Sequence, residues 1–166
     1  KRVQSPDEDD YKKLVRLVKY MRRTKFLRLT IEATYLDQNH WFIDGAFAVH
    51  DDMKSHTGAY MTFGKGMIDG MSKGQKINTT SSTEAEVVAV HDNMPAILWL
   101  RYFLGAQGYP LKASKVHQDN ISAKLLETNG RGSNSKRTRH MNIRYFLLLT
   151  FKSVTTLPLN TAQRTR

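Results

Sequence analysis

Four stretches that read as strands, 40–49, 57–63, 66–71 and 75–79, are punctuated by Gly64, Gly66, Gly70 and Gly74 and end at Ser81, where the apolar period becomes helical. Glycine at that density marks tight turns, so the first part reads as an antiparallel meander. From Ser81 to about Leu104 the chain is strongly apolar, which predicts one long central helix, bent or broken at Pro95. Lys115 to Gln118 reads as a short strand and Asp119 to Thr128 as a short helix. A Gly/Ser/Asn loop at 129–135 and a last helix or strand from His140 to about Lys152 follow. Strands, helix, strand, helix is the order of an α/β sandwich with a mixed sheet.

Ahead of the meander, Ser5-Pro6-Asp7-Glu8 is a helix start, with a capping hydroxyl, proline in the first turn and acids at the positive end of the dipole. The helix should run to about Thr24 with Tyr11, Leu14, Val15, Leu17, Val18 and Met21 on its buried side. In 26–33, Leu27, Leu29 and Ile31 alternate with Arg28, Thr30 and Glu32, the pattern of a half-buried strand. At 166 residues the expectation is one domain plus a terminal extension. The chain begins with Lys1, has no basic-then-apolar leader and no apolar run near the roughly eighteen residues of a membrane span, so an intracellular fragment of a larger protein is expected. It has no cysteine, which excludes disulfides and thiolate metal sites.

The net charge of +11 is unevenly spread. Residues 1–30 carry ten Lys/Arg against four acids, 31–111 five against nine, and 112–166 eleven against two. Basic flanks of this kind favour a polyanion, because each neutralised phosphate releases counterions; solubility charge is the plain alternative.

Three acids stand at element edges: Asp44 in the first core strand, Glu86 one turn into the central helix and Asp119 where strand passes into helix. Each has a structural reading. Glu86 could close a capping box with Thr83, as Glu84 could with Ser81, and Asp119 could cap the following helix. Asp44 is harder to explain, since an acid inside an apolar strand costs several kcal/mol unless paired or metal-bound. Together, oxygen ligands without a Cys or His cluster favour Mg2+ or Mn2+. Beside a basic surface they suggest phosphodiester hydrolysis, in which two ions about 4 Å apart activate water and stabilise the leaving oxygen. His40, His50, His56, His91, His117 and His140 show no zincin spacing and are read as surface or hydrogen-bonding residues.

The stretches K-Y-M-R-R-T at 19–24, W-F-I-D-G-A-F-A-V-H at 41–50, S-H-T-G at 55–58, K-G-Q-K-I-N-T-T-S-S-T-E-A-E at 73–86, Q-D-N at 118–120 and K-R-T-R-H-M-N-I-R-Y at 136–145 keep a specific order and spacing. In these the chain resembles the ribonuclease H (RNase H) domain of copia-type retrotransposon polyproteins, over nearly everything from residue 3 to 146. The resemblance implies an RNase H-like mixed five-stranded sheet flanked by helices, with an N-terminal helical extension and a degraded C-terminus. It divides the chain into 1–33, the tail of the reverse transcriptase; 34–146, the RNase H-like domain; and 147–166, an aberrant tail. By motif, Asp44, Glu86 and Asp119 match the catalytic, metal-holding acids, with Glu84 the capping-box acid.

The implied chemistry is Mg2+-dependent hydrolysis, with Mn2+ an alternative, of the RNA strand of an RNA/DNA hybrid, leaving a 3′ hydroxyl. RNA would be told from DNA by 2′-OH contacts in the minor groove. The implied partners are the hybrid and the reverse transcriptase of the same polyprotein. Ser81, Ser82 and Asn120 match substrate contacts, though helix capping equally explains the serines. Ile121 stands where relatives usually carry Gln. Lys136, Arg137 and Arg139 resemble a phosphate-binding run, with a solvated basic loop as the alternative. Gly45 and Ala46 would keep the scissile phosphate's approach open.

The resemblance breaks after Phe146. Relatives carry a fourth catalytic aspartate on a C-terminal helix, whereas this chain has no acid after Glu127. A one-base frameshift near codon 146 would account for the loss, since codons for 156–165 can be chosen so that another frame reads V-A-I-E-H-C-P-T-H. Cleavage is then expected to be impaired, with a non-catalytic nucleic-acid-binding remnant as the alternative.

Overall fold

The computed structural model describes residues 5–120 and the backbone of 155–156. The chain divides into two compact units, one ending at Thr30 and one beginning at Ile31. The first contains α1, Glu8–Thr24. Its cap is Asp7, two residues later than the Ser5 hydroxyl expected from sequence. The Asp7 carboxylate accepts from the Asp10 N–H at 2.8 Å and the Asp10 carboxylate accepts from the Asp7 N–H at 3.2 Å. A carboxylate in each role satisfies two orphan donors and faces the positive end of the helix dipole.

The expected buried side of α1 is exposed: Tyr11, Leu14, Val15, Leu17, Val18 and Met21 are each half or more accessible. An apolar stripe is covered only by a second layer, and α1 is the sole regular element of its unit among the described residues. The strand expected over 26–33 shrinks to β1, Glu32–Ala33, with Phe26, Leu27, Leu29 and Ile31 exposed. Only those two residues find a ladder partner, in β4 (Gly64–Lys65). Alternation predicts a strand only where backbone donors and acceptors have somewhere to go.

The second unit is built on β2 (His40–Ala46), β3 (His56–Thr62), β5 (Asp69–Gly74), β6 (Ser114–His117) and β7 (Thr155–Thr156), in the spatial order β5-β3-β2-β6-β7. The β2–β3 and β3–β5 pairs are antiparallel, while β2–β6 and β6–β7 are parallel. The expected mixed five-stranded sheet is therefore present. The strand expected at 75–79 is not: β5 ends at Gly74, and Gln75 turns inward to bond the Ser55 carbonyl through its N–H at 2.8 Å. The predicted elements at 119–128, 129–135 and 140–152 lie outside the described residues.

Between β5 and β6 runs α2, Ser82–Ala106, which crosses one face of the sheet. Trp41, Ile43, Met61 and Val116 from the strands close with Val87, Ala89, Val90, Met94 and Ile97 into one core. The helix is continuous through Pro95 instead of broken there. Pro95 sits on the exposed side of the helix, while Met94 and Ile97 on either side are fully buried. Among the described residues no helix is long and apolar enough to cross a membrane.

Candidate metal centre

The sheet register brings the first and third acids together. β2 and β6 run parallel, with His40 opposite Lys115, Trp41 opposite Val116 and Phe42 opposite His117. The same offset, carried past the last paired residues, sets Asp44 beside Asp119. The second acid arrives from above, where α2 lies on β2 so closely that a Cβ on Gly45 would stand 2.7 Å from the Ala85 carbonyl oxygen and 2.9 Å from the Glu86 nitrogen. Oxygen atoms of Asp44, Glu86 and Asp119 all lie within 4.8 Å of one another.

That approach gives Gly45 a reason beyond the one expected from sequence: a side chain there would meet the backbone of α2. Asp44 also differs from expectation. It lies on the exposed side of β2's alternation and not inside the apolar core. Glu86 is the buried member, 6 % exposed. Its Oε2 accepts from the Gly45 N–H at 3.1 Å and from the Gln118 side-chain amide at 3.2 Å. Burial pushes Glu86 up to about 7, with the nearby Asp44 and Asp119 adding to the rise and the Gln118 and Gly45 hydrogen bonds opposing it.

Glu84 stands apart from this group. Ser81 caps α2, its Oγ accepting from the Glu84 N–H at 3.1 Å, and the Glu84 carboxylate accepts from the Thr80 N–H at 2.6 Å and hydroxyl at 2.8 Å. The acid therefore reaches one residue before the cap, a variant of the expected capping box. Ser82 is exposed in the first turn of α2, and Asn120 is half-buried beside Asp119. Lys136, Arg137 and Arg139 lie outside the described residues, as does His140. Two histidine pairs form: His117 with His40 at 3.0 Å and His50 with His56 at 2.9 Å.

Two glutamines were not singled out from sequence. Gln75, buried, donates to Thr57 Oγ1 at 3.1 Å and to the Ala85 carbonyl at 2.8 Å, tying the chain before α2 to its first turn. Gln118 lies on the buried side of β6's alternation, and a polar residue at a core-facing position next to an acid was the available signal.

Three carboxylates suit a hard divalent cation. Mg2+ holds oxygens at about 2.0–2.1 Å, so its ligands stand at most about 4.2 Å apart, and a small closure of this group meets that span. Burial and the two neighbouring acids disfavour the charged form of Glu86, and a cation among the three carboxylates would favour it.

No protein-family model matches the chain. Over 95 residues, 57 % of its length, it is 38 % identical to the Retrovirus-related Pol polyprotein from transposon TNT 1-94 of Nicotiana tabacum, and it spans only 7 % of that relative. Its coordinates superpose on LC11-RNase H1, isolated from compost by a metagenomic approach, with a TM-score of 0.55 at 13 % identity, covering 77 % of this chain and 87 % of that one. The chain has the ribonuclease H fold. The N-terminal RNase H domain of rv2228c from Mycobacterium tuberculosis is similar too, with a TM-score of 0.52 at 11 % identity over 78 % of this chain and 84 % of that one. Within this ribonuclease H fold the resemblance to a retrotransposon Pol polyprotein, read from the motifs, holds.

Proposed function

We propose that this chain is the RNase H domain of a retrotransposon Pol polyprotein, preceded over 1–33 by the tail of the reverse transcriptase, and that it acts on the RNA strand of RNA/DNA hybrids inside the cell. The observation that supports this most is the meeting of Asp44, Glu86 and Asp119 within 4.8 Å. In this reading the three carboxylates hold divalent cations, Mg2+ or Mn2+, which when bound supply an activated water and charge neutralisation at the leaving oxygen. Asp44 and Asp119, both exposed, are the acids a phosphodiester can approach. Glu86, buried between helix and strand, holds the inner side of the site. Ser81, Ser82 and Asn120 would contact the hybrid, and Lys136, Arg137 and Arg139 its phosphates.

In this reading the activity is weak, because the C-terminal segment expected to carry a fourth aspartate departs from the pattern of the resemblance. The pattern of the resemblance, which leads one to expect a fourth aspartate on a C-terminal helix, breaks after Phe146. That same break, with basic flanks, favours a second reading as a nucleic-acid-binding remnant without catalysis. A labelled RNA/DNA hybrid in Mg2+ separates the two. Slow cleavage that Asp44→Asn abolishes and EDTA stops supports the enzyme. Binding with no cleavage, unchanged by Asp44→Asn, supports the remnant. Splicing an aspartate-bearing C-terminal helix in place of 147–166 should restore the rate of the enzyme.

A further inference from the structure

Ser114 and Val116 of β6 are buried, and so is Gln118, one alternation further on, at 4 % exposed. A core-facing position continuous with Val116 ordinarily takes an apolar side chain. Here it takes an amide whose Nε2 donates to Glu86 and whose Oε1 is buried with no hydrogen-bond partner among the described residues. Leaving such an acceptor unpaired is unfavourable, and a methionine of similar shape would avoid it. The useful half of the amide is the bond to Glu86. It lands on Oε2, the same oxygen that the Gly45 N–H reaches, so Oε1 carries neither donor.

The two donors are placed symmetrically. Gly45 directly follows Asp44 on β2, and Gln118 directly precedes Asp119 beyond β6. One glutamate oxygen is thus held from both of the strands that supply the other two acids.

We propose that Gln118 is a positioning residue: by fixing Glu86 Oε2 from the strand that carries Asp119, it sets the Glu86 rotamer and its separation from Asp119, and so the affinity for a divalent cation. The inference rests on the metal-holding reading of these acids. Outer partners of this kind are worth about 10–100-fold in metal affinity.

The test compares the full chain with its Gln118→Met and Glu86→Gln variants. Gln118→Met keeps the volume and removes the donor. Calorimetric titration with Mn2+ should show about tenfold weaker binding for Gln118→Met, with a melting temperature no lower than the parent's. Equal Mn2+ affinity in Gln118→Met and parent overturns the proposal. A metal-free measurement keeps the two readings separable: the metal-free crystal structure of Gln118→Met should show Glu86 in another rotamer, farther from Asp119. An unmoved Glu86 side chain also overturns it. A parent chain with no Glu86-dependent Mn2+ binding defeats the metal reading, and the metal-free structure then decides alone whether Gln118 holds Glu86.

Discussion

The Gly45 N–H donates to Glu86 Oε2 at 3.1 Å, joining an edge residue of the central strand to a helix whose backbone leaves no room for even a methyl group at that glycine. Strand and helix are in contact where two of the three acids are held, so packing and site geometry are one feature.

Gly45→Ala should therefore act on both. The added Cβ meets the backbone of Ala85, which cannot swing aside as a side-chain tip could. We expect a loss of about 1–3 kcal/mol in urea unfolding and a weaker Mn2+ titration. An unchanged urea midpoint would contradict the close approach.

Glu86 should make the metal-free chain less stable as pH rises. Its ordinary value of 4.5 applies to the unfolded chain and about 7 to the folded one, so the folded state holds the proton more tightly. The stabilisation is complete below about pH 4.5 and is lost as pH climbs through 7. Glu86→Gln, which cannot ionise, should be more stable than the parent at pH 8 by roughly 2 kcal/mol. At pH 4 the two should melt together. Thermal unfolding at the two pH values checks the sign.

Cation binding should follow the same ionisation in the opposite sense. A cation needs Glu86 deprotonated, so Mn2+ affinity should be about tenfold tighter at pH 8 than at pH 6. Titrations at fixed ionic strength measure it, and a flat profile would place Glu86 outside the ligand set.

Ser81→Ala removes the acceptor for the Glu84 N–H at the start of α2. The expected cost is about 1 kcal/mol in thermal or urea unfolding. Because Glu84 stays bonded to Thr80 and Glu86 to Gly45, Mn2+ affinity should hardly change. A large loss of affinity would assign Ser81 more than capping.

The meeting of the three acids was legible because it depends on features written locally: alternation around Asp44, a helical period beginning at Ser81, and a short strand ending just before Asp119. Once those elements form a sheet with one crossover helix, the positions 44, 86 and 119 have little freedom. Less legible was everything that depends on an unseen partner. The stripe Tyr11, Leu14, Val18 and the alternation Leu27, Leu29, Ile31 are clear patterns, yet among the described residues neither has a surface to cover it. The packing role of Gly45 is hidden in the sequence, because the closeness of Ala85 is a tertiary fact. Gln75 and Gln118 were passed over for the same reason: a buried amide is recognisable only when its carbonyl or carboxylate across the fold is known.

The parallel register of β2 and β6 has a consequence for how such a chain can diverge. What aligns Asp44 with Asp119 is a count of residues along two adjacent strands, and nothing in the segments that connect them enters that count. Insertions or deletions between 47 and 55, or between 107 and 113, leave the alignment untouched. A single residue lost at 43 or 118 turns one carboxylate to the opposite face of the sheet. A lineage of these elements can thus vary freely in the length of its turns while remaining intolerant of one-codon changes in two very short windows.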